Sequence, residues 1–359
     1  MHSWRWSSLP EAYKMEIFSR DYQFRSVAVL STPTIEQDYL TLQKTSVTVH
    51  DITAQRGDYA HITSMGGSVL YQGIVEDVNV TKNGYKLKLA PLLALLDVPV
   101  SYNRELVQTG ALEDFIAGII EQTYIRNPDK LQNVPGLSVE TTSKTTDTKL
   151  NLKSNVHEFW DIATKALTMY GVIITAEMLP AKKQIAFRVG KATQTLTLES
   201  ELPNCLKKNF VFTDTYGDTN KATYINKNDE QQSVTYYLHK DGTISTTDSD
   251  RVTPVFFTVE YIESTDEFAK VALERATEDL TPQIYKQLIE LTYASGDEMI
   301  QPNTLMIGAL ADIHYKSKIY RSIMTGYDIK KGKTTLIFGV VRMELTKKLI
   351  IERRKDNGN

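Results

Sequence analysis

The sequence predicts an α+β, β-rich chain in which two similar small β-barrel modules bracket an α+β module. Two observations carry this reading. Distant hairpins nearly repeat: Tyr71-Gln72-Gly73-Ile74-Val75-Glu76-Asp77-Val78-Asn79-Val80 with a turn at Thr81-Lys82-Asn83-Gly84, and Tyr320-Arg321-Ser322-Ile323-Met324-Thr325-Gly326-Tyr327-Asp328-Ile329 with a turn at Lys330-Lys331-Gly332-Lys333. Between them the texture changes from period-two alternation to helical stripes. A small β-unit carried twice lets a ring have higher symmetry than its number of chains.

The first β-barrel module is placed at residues 1–100. Tyr13–Phe18 and Gln23–Leu30 read as strands around a polar turn, and Ser46–Ile52 alternates cleanly. Tyr59–Ile62 begins another strand before the hairpin over 68–89. This density of short strands and turns fits a small barrel or sandwich.

The α+β module is placed at residues 101–199. Leu106, Val107, Leu112, Phe115, Ile116, Ile119 and Ile120 form one stripe within a helix expected over Asn103–Tyr124. A second helix is expected to start at Asn155 as N-cap and to stop at Gly171. It turns Phe159, Trp160, Ile162, Ala163, Ala166, Leu167 and Tyr170 inward. A hairpin then joins Val172–Ala176 to Gln184–Val189.

The second β-barrel module is placed at 200–350, with an inserted helix near 266–280 and a polar tail at 351–359. Phe268, Val271, Ala272, Ala276 and Leu280 share one face of that helix, which Thr281-Pro282 ends. Four strands are expected from Gln287 to Leu345.

Composition excludes more than it selects. The chain has 359 residues, 41% hydrophobic and 24% charged, which is ordinary for a globular protein. A net charge of −3 carries no footprint of a dedicated nucleic-acid binder. The one cysteine, Cys205, permits no intrachain disulfide and reads as an inert thiol in Leu202-Pro203-Asn204-Cys205-Leu206. No signal peptide and no apolar run long enough to span a bilayer is seen, so a chain made in a cytoplasm without stable membrane insertion is expected.

The motifs that could carry chemistry fail on physical grounds. Gly326-Tyr327-Asp328-Ile329-Lys330-Lys331-Gly332-Lys333-Thr334 resembles a phosphate loop, but the glycines are wrongly spaced and a strand follows. The phosphates need a helix N-terminus there, so this is a hairpin turn. His2, His50, His61, His157, His239 and His314 have no ligand spacing. Asp248-Ser249-Asp250 lacks the glycine and downstream glutamate of a calcium loop. Tyr315-Lys316-Ser317-Lys318-Ile319-Tyr320-Arg321 could stack bases, but reads better as core aromatics around a lysine-bearing turn. No catalytic, cofactor-binding or metal-ligating residue is assigned, no cofactor is expected, and the chain is read as not an enzyme.

The order of modules, ending on Ile307-Gly308-Ala309-Leu310-Ala311-Asp312-Ile313-His314-Tyr315 and Ile319–Tyr327, resembles the tail-tip or baseplate hub proteins of bacteriophages. These tail-associated proteins have relatives in contractile injection devices. The resemblance spans nearly the whole chain in module order and rests on no single diagnostic motif. It implies a homotrimer whose six similar barrels form a pseudo-sixfold ring in a virion tail tip, assembled in the bacterial host cytoplasm. The ring would join the tail tube or distal tail protein to receptor-binding, spike or fibre proteins. It would gate passage of viral DNA and contact the tape-measure protein, with the Thr141–Lys149 loop as one moving element. Long members carry a C-terminal enzymatic or receptor-binding extension; here residues up to Asn359 are expected to lack cell-wall-degrading activity. The alternative reading is a carbohydrate-binding or adhesin module of a baseplate or bacterial surface, motivated by 19 tyrosines and Thr/Asn-rich loops. A third is an enzyme whose carboxylate pair meets only in the fold.

Overall fold

The computed structural model describes residues 12–342 apart from 32, 102–107, 109, 145–149, 151–156, 192–194, 213–218, 254, 264–266, 283 and 295–304. The expected polar tail at 351–359 lies outside the described residues, as do His2 and Asn155.

The N-terminal unit contains β1 (Tyr13–Phe18), β2 (Phe24–Leu30), β3 (Ile35–Asp38), β4 (Thr45–Val49), β5 (Tyr59–Ser64), β6 (Val69–Thr81) and β7 (Gly84–Pro91). Six of them form one sheet in the order β2-β1-β5-β6-β7-β4. Alternation does the sorting: β1 buries Tyr13, Met15 and Ile17, and β4 buries Val47 and Val49. The sheet curls until its edges β2 and β4 face each other across a groove of about 320 Å³, lined in part by Val29, Leu30, Val47 and His50. No backbone ladder joins those edges among the described residues. Side chains bridge the ends of the seam instead. Ser26 Oγ donates to the Thr53 carbonyl at 2.8 Å and accepts from its N–H at 3.1 Å; Thr45 Oγ1 donates to Thr34 O at 2.8 Å.

The mixed module follows. Strands β8 (Pro99–Ser101) and β10 (His157–Glu158) pair, and β9 (Leu137–Thr141), β11 (Val172–Leu179) and β12 (Gln184–Lys191) form a sheet in the order β11-β12-β9. Helix α1 (Leu112–Ile120) continues into a wider turn at Glu121–Ile125, and α2 is Phe159–Tyr170. Leu112, Ile116 and Ile120 of α1 and Phe159, Ala163, Ala166 and Leu167 of α2 are fully buried with Ile185 and Phe187. Leu106 and Val107 of the expected first stripe lie outside the described residues, and Glu158 stands at the start of the second helix without capping it. Gly171 ends α2 in the left-handed region, as its position predicts (φ +69°).

After β13 (Thr195–Glu199) and β14 (Cys205–Phe212) the chain builds a separate small unit. It comprises β15 (Lys221–Asn226), β16 (Asp229–Leu238), β17 (Ile244–Ser245), β18 (Phe257–Ile262) and helix α3 (Phe268–Leu280). Its sheet order is β17-β16-β15-β18, and α3 covers one face through Phe268, Ala272, Ala276 and Leu280. The helix expected near 266–280 is thus one layer of an inserted unit with its own core. Nor does β13 belong with the module at 101–199, since it pairs parallel with β20 (Leu310–Tyr315).

The C-terminal sheet is completed by β19 (Gln287–Ala294), β21 (Lys318–Lys330) and β22 (Lys333–Phe338), in the order β13-β20-β21-β22-β19-β14. The four strands β4–β7 recur here as β19–β22. Both sets have the chain order and neighbours of the other: β5-β6-β7-β4 and β20-β21-β22-β19. Strands β6 and β21 are each 13 residues long. Each carries one unpaired residue at the same distance before the hairpin-closing pair: Glu76 ahead of Thr81–Gly84, and Thr325 ahead of Lys330–Lys333. A bulge fixes local twist and the facing of every residue beyond it, so a shared bulge position is a stronger match than shared composition.

The two β-units share one core. Met15, Ile17, Ile62 and Leu87 of the first pack in the same buried cluster as Ile289, Leu291, Tyr293, Met324 and Phe338 of the second.

Candidate assembly surfaces

What positions the modules relative to one another is a junction centred on β3. This strand leaves the N-terminal sheet and pairs antiparallel with β21, Gly326 opposite Asp38 and Ile329 opposite Ile35. A Cβ at Gly326 would stand 2.7 Å from the Gln37 carbonyl, so only glycine permits the approach. Beside it lies the bulge residue Thr325. Its carbonyl accepts from Tyr39 N–H at 2.8 Å, and its hydroxyl donates to Gly339 O at 2.7 Å. Arg342 donates to that hydroxyl at 2.7 Å and forms an ion pair with the buried Asp38. Asp38 Oδ1 also accepts from Leu40 N–H at 2.8 Å, closing the turn after β3.

The mixed module docks on the same segment. Tyr39, 1% exposed, packs against Trp160 with ring centres 4.9 Å apart. Its carbonyl accepts from Trp160 Nε1 at 3.1 Å, and its hydroxyl accepts from Ile174 N–H at 3.3 Å. Burial pushes the Tyr39 phenol well above its ordinary pKa, keeping it neutral. A second clamp is Gln72 on β6, whose amide donates to Met178 O and accepts from Met178 N–H, both at 2.8 Å. Neither clamp was identified from the sequence, because each pairs residues far apart in the chain.

The residues singled out for chemistry are scattered. The glycine-flanked segment 326–334 is the β21–β22 hairpin, with Lys331 and Gly332 at positive φ in its turn. His314 pairs with Glu199 at 3.0 Å, and His239 Nε2 lies 2.9 Å from Ser245 Oγ. His61 is largely buried on β5, 4.0 Å from Glu16, and neither ring nitrogen has a hydrogen-bond partner. Burial pushes its pKa down, partly offset by the Glu16 carboxylate. Cys205 is half-buried with its thiol pushed up, chiefly by burial. Among the described residues no group of three His, Cys, Asp or Glu side chains is placed to hold a metal ion.

Two surfaces stand out. At the β20–β21 turn Tyr315 stacks on Phe210 at 4.1 Å and 11°, with Lys208 and Lys316 5.7 Å and 5.2 Å from the Tyr315 ring centre. These aromatics are half-buried, so the expected core reading holds only in part. On the inserted unit, no element among the described residues covers the face of the sheet away from α3. Phe257, Val259 and Tyr261 of β18 are 68%, 49% and 59% exposed.

No protein-family model matches this sequence, and no curated protein is detectably similar to it. Solved structures are. The chain is similar to a chain of the phage P2 baseplate in its activated conformation with Ca, at 13% identity and TM-score 0.51, covering 92% of this chain and 100% of the other. It is also similar to the 43 kDa tail protein of prophage MuSo2 from Shewanella oneidensis, at 12% identity and TM-score 0.55, covering 92% and 98%. The fold is that of phage tail and baseplate proteins. The likeness extends over nearly the full length of both chains.

Proposed function

We propose that the protein is a structural hub of a phage-type tail tip or baseplate. Three copies form a ring in which six related β-units, two from each chain, meet the sixfold tail tube on one side. On the other side the threefold axis meets the adhesion apparatus, and DNA passes through the centre without specific binding. The observation that supports this reading is the recurrence of β4–β7 as β19–β22 with the bulge at the same place. A ring of three copies turns that internal doubling into near-sixfold symmetry. In this reading the two β-units form the ring, and the mixed module, without β13, is the part that moves.

Partners are the tail tube or distal tail protein, the tape-measure protein, and spike, fibre or receptor-binding proteins. No catalytic role is assigned. The Thr141–Lys149 loop, one moving element in this reading, lies partly outside the described residues.

Light scattering on the purified chain, with negative-stain class averages of the same sample, tests the proposal. A ring with three copies around its axis and six similar lobes, single or joined in pairs, is the expected result. Particles with another copy number around the axis, or a ring without six lobes, would reject it.

A further inference from the structure

Among the described residues nothing pairs with the outer edge of β18. The Phe256 carbonyl accepts from Asn220 and Lys221 N–H at 2.9 and 3.1 Å, and the Ile262 carbonyl accepts from Lys227 N–H at 2.9 Å. Even-numbered residues of this strand therefore turn their backbone groups to β15. By the two-residue period, Phe257, Val259 and Tyr261 turn theirs to the open side, where no strand pairs with β18 among the described residues. The same three residues expose their side chains. Natural sheets blunt such edges with lysine, proline, bulges or very short strands. The far edge of this sheet, β17, is only two residues long. Strand β18, Phe-Thr-Val-Glu-Tyr-Ile, has no lysine, proline or bulge; its one charge, Glu260, lies on the side of α3 and leaves the outward row apolar.

We infer that β18 pairs antiparallel with β18 of a second copy about a twofold axis at Val259. The strand is self-complementary in that register. Val259 faces Val259 of the second copy, and Phe257 faces Tyr261, all at positions whose N–H and C=O groups point across the edge. Aromatic cross-strand pairs of this kind are favourable, and no like charges lie directly opposite, because Glu260 faces Thr258. The open face agrees. Its rows run Tyr237–Lys221–Phe257, Thr235–Thr223–Val259 and Ser233–Ile225–Tyr261, with no carboxylate among them. Lys221 Nζ lies 5.8 and 5.9 Å from the Tyr237 and Phe257 ring centres. Joining two copies gives one eight-stranded sheet with both α3 helices on the same side.

This contact uses only the inserted unit, so it stands apart from the proposed ring and predicts different masses. Light scattering of the full chain over a range of concentrations should give an even number of copies: a dimer, or a hexamer if rings also form. Val259→Lys and Val259→Glu should each halve the mass, because like charges then face each other at the axis, and mixing the two variants should restore it. Both change an exposed side chain on an outward-facing edge position, and far-UV circular dichroism should match that of the unaltered chain. A monomer or a simple trimer at every concentration would overturn the inference, as would variants that keep the parent mass. A trimer would leave the ring reading standing, and a dimer would support the edge pairing alone.

Discussion

The Tyr327 hydroxyl donates a 2.8 Å hydrogen bond to the Leu70 carbonyl, joining the two β-units through a side chain 3% exposed. Leu70 is the residue left out of the β5–β6 ladder, where Ile62 pairs with Tyr71 and Thr63 with Val69. A bulge in the first unit is thus satisfied by a tyrosine of the second. Tyr327→Phe removes the donor and strands a buried carbonyl, so equilibrium denaturation should show a loss of about 1–2 kcal/mol with an unchanged denaturant slope.

Arg342 is the cation beside buried Asp38, whose side chain is 7% exposed. Removing one partner of a buried pair leaves the other uncompensated. Arg342→Ala should therefore cost about 3 kcal/mol, more than removing an exposed pair such as Lys270–Glu267. Asp38→Asn in the same background should recover part of the loss. No recovery in that double-mutant comparison would show that the two do not act as a pair.

Gly84 closes the β6–β7 hairpin at φ +117°, and a Cβ there would lie 2.1 Å from the Val49 carbonyl on the neighbouring strand. Gly84→Ala should cost about 2 kcal/mol, through both strain and overpacking. The corresponding residue of the other hairpin is Lys333, where the turn instead places Lys331 and Gly332 at positive φ. Lys333→Ala should leave the melting temperature nearly unchanged.

His61 gives the fold a pH dependence. Burial lowers its pKa below the ordinary value, so the unfolded chain binds the proton more readily than the folded one. Stability from this group is complete above about pH 6.5 and falls as pH drops from there toward the folded value. His61→Gln should flatten that part of the stability–pH curve, measured by denaturant titration at a series of pH values. An unchanged slope would assign the dependence to other groups.

Much of the β-rich order and the helix faces was legible because burial on one side imposes a period. Met15 and Ile17, Val47 and Val49, and the stripes of α1 and α2 all show it. Strand β3 was missed because Ile35-Glu36-Gln37-Asp38 has no alternation to read; its pairing comes from β21, nearly three hundred residues on. In sequence, 200–350 reads as one barrel with an inserted helix, so the strands of the inserted unit count there as barrel strands. Its strands carry the usual pattern, and nothing local says that they bury against α3 instead of the main core. Phe257-Thr258-Val259-Glu260-Tyr261 alternates apolar and polar residues, so in sequence its exposed face looks like the buried face of a half-buried strand.

The sequence by itself determined many of the strands and the faces of the three helices, and it carried the repeat of the two hairpins, because period and turn chemistry act over a few residues. Tertiary structure alone decided that the repeat extends to four strands and a matched bulge, and that both units share one core. It also decided that Tyr327, Asp38, Arg342 and Gln72 are the residues that join the modules. Those contacts bring together groups 106 to 304 positions apart, and their free energy depends on burial and hydrogen-bond geometry that exist only once the chain has folded.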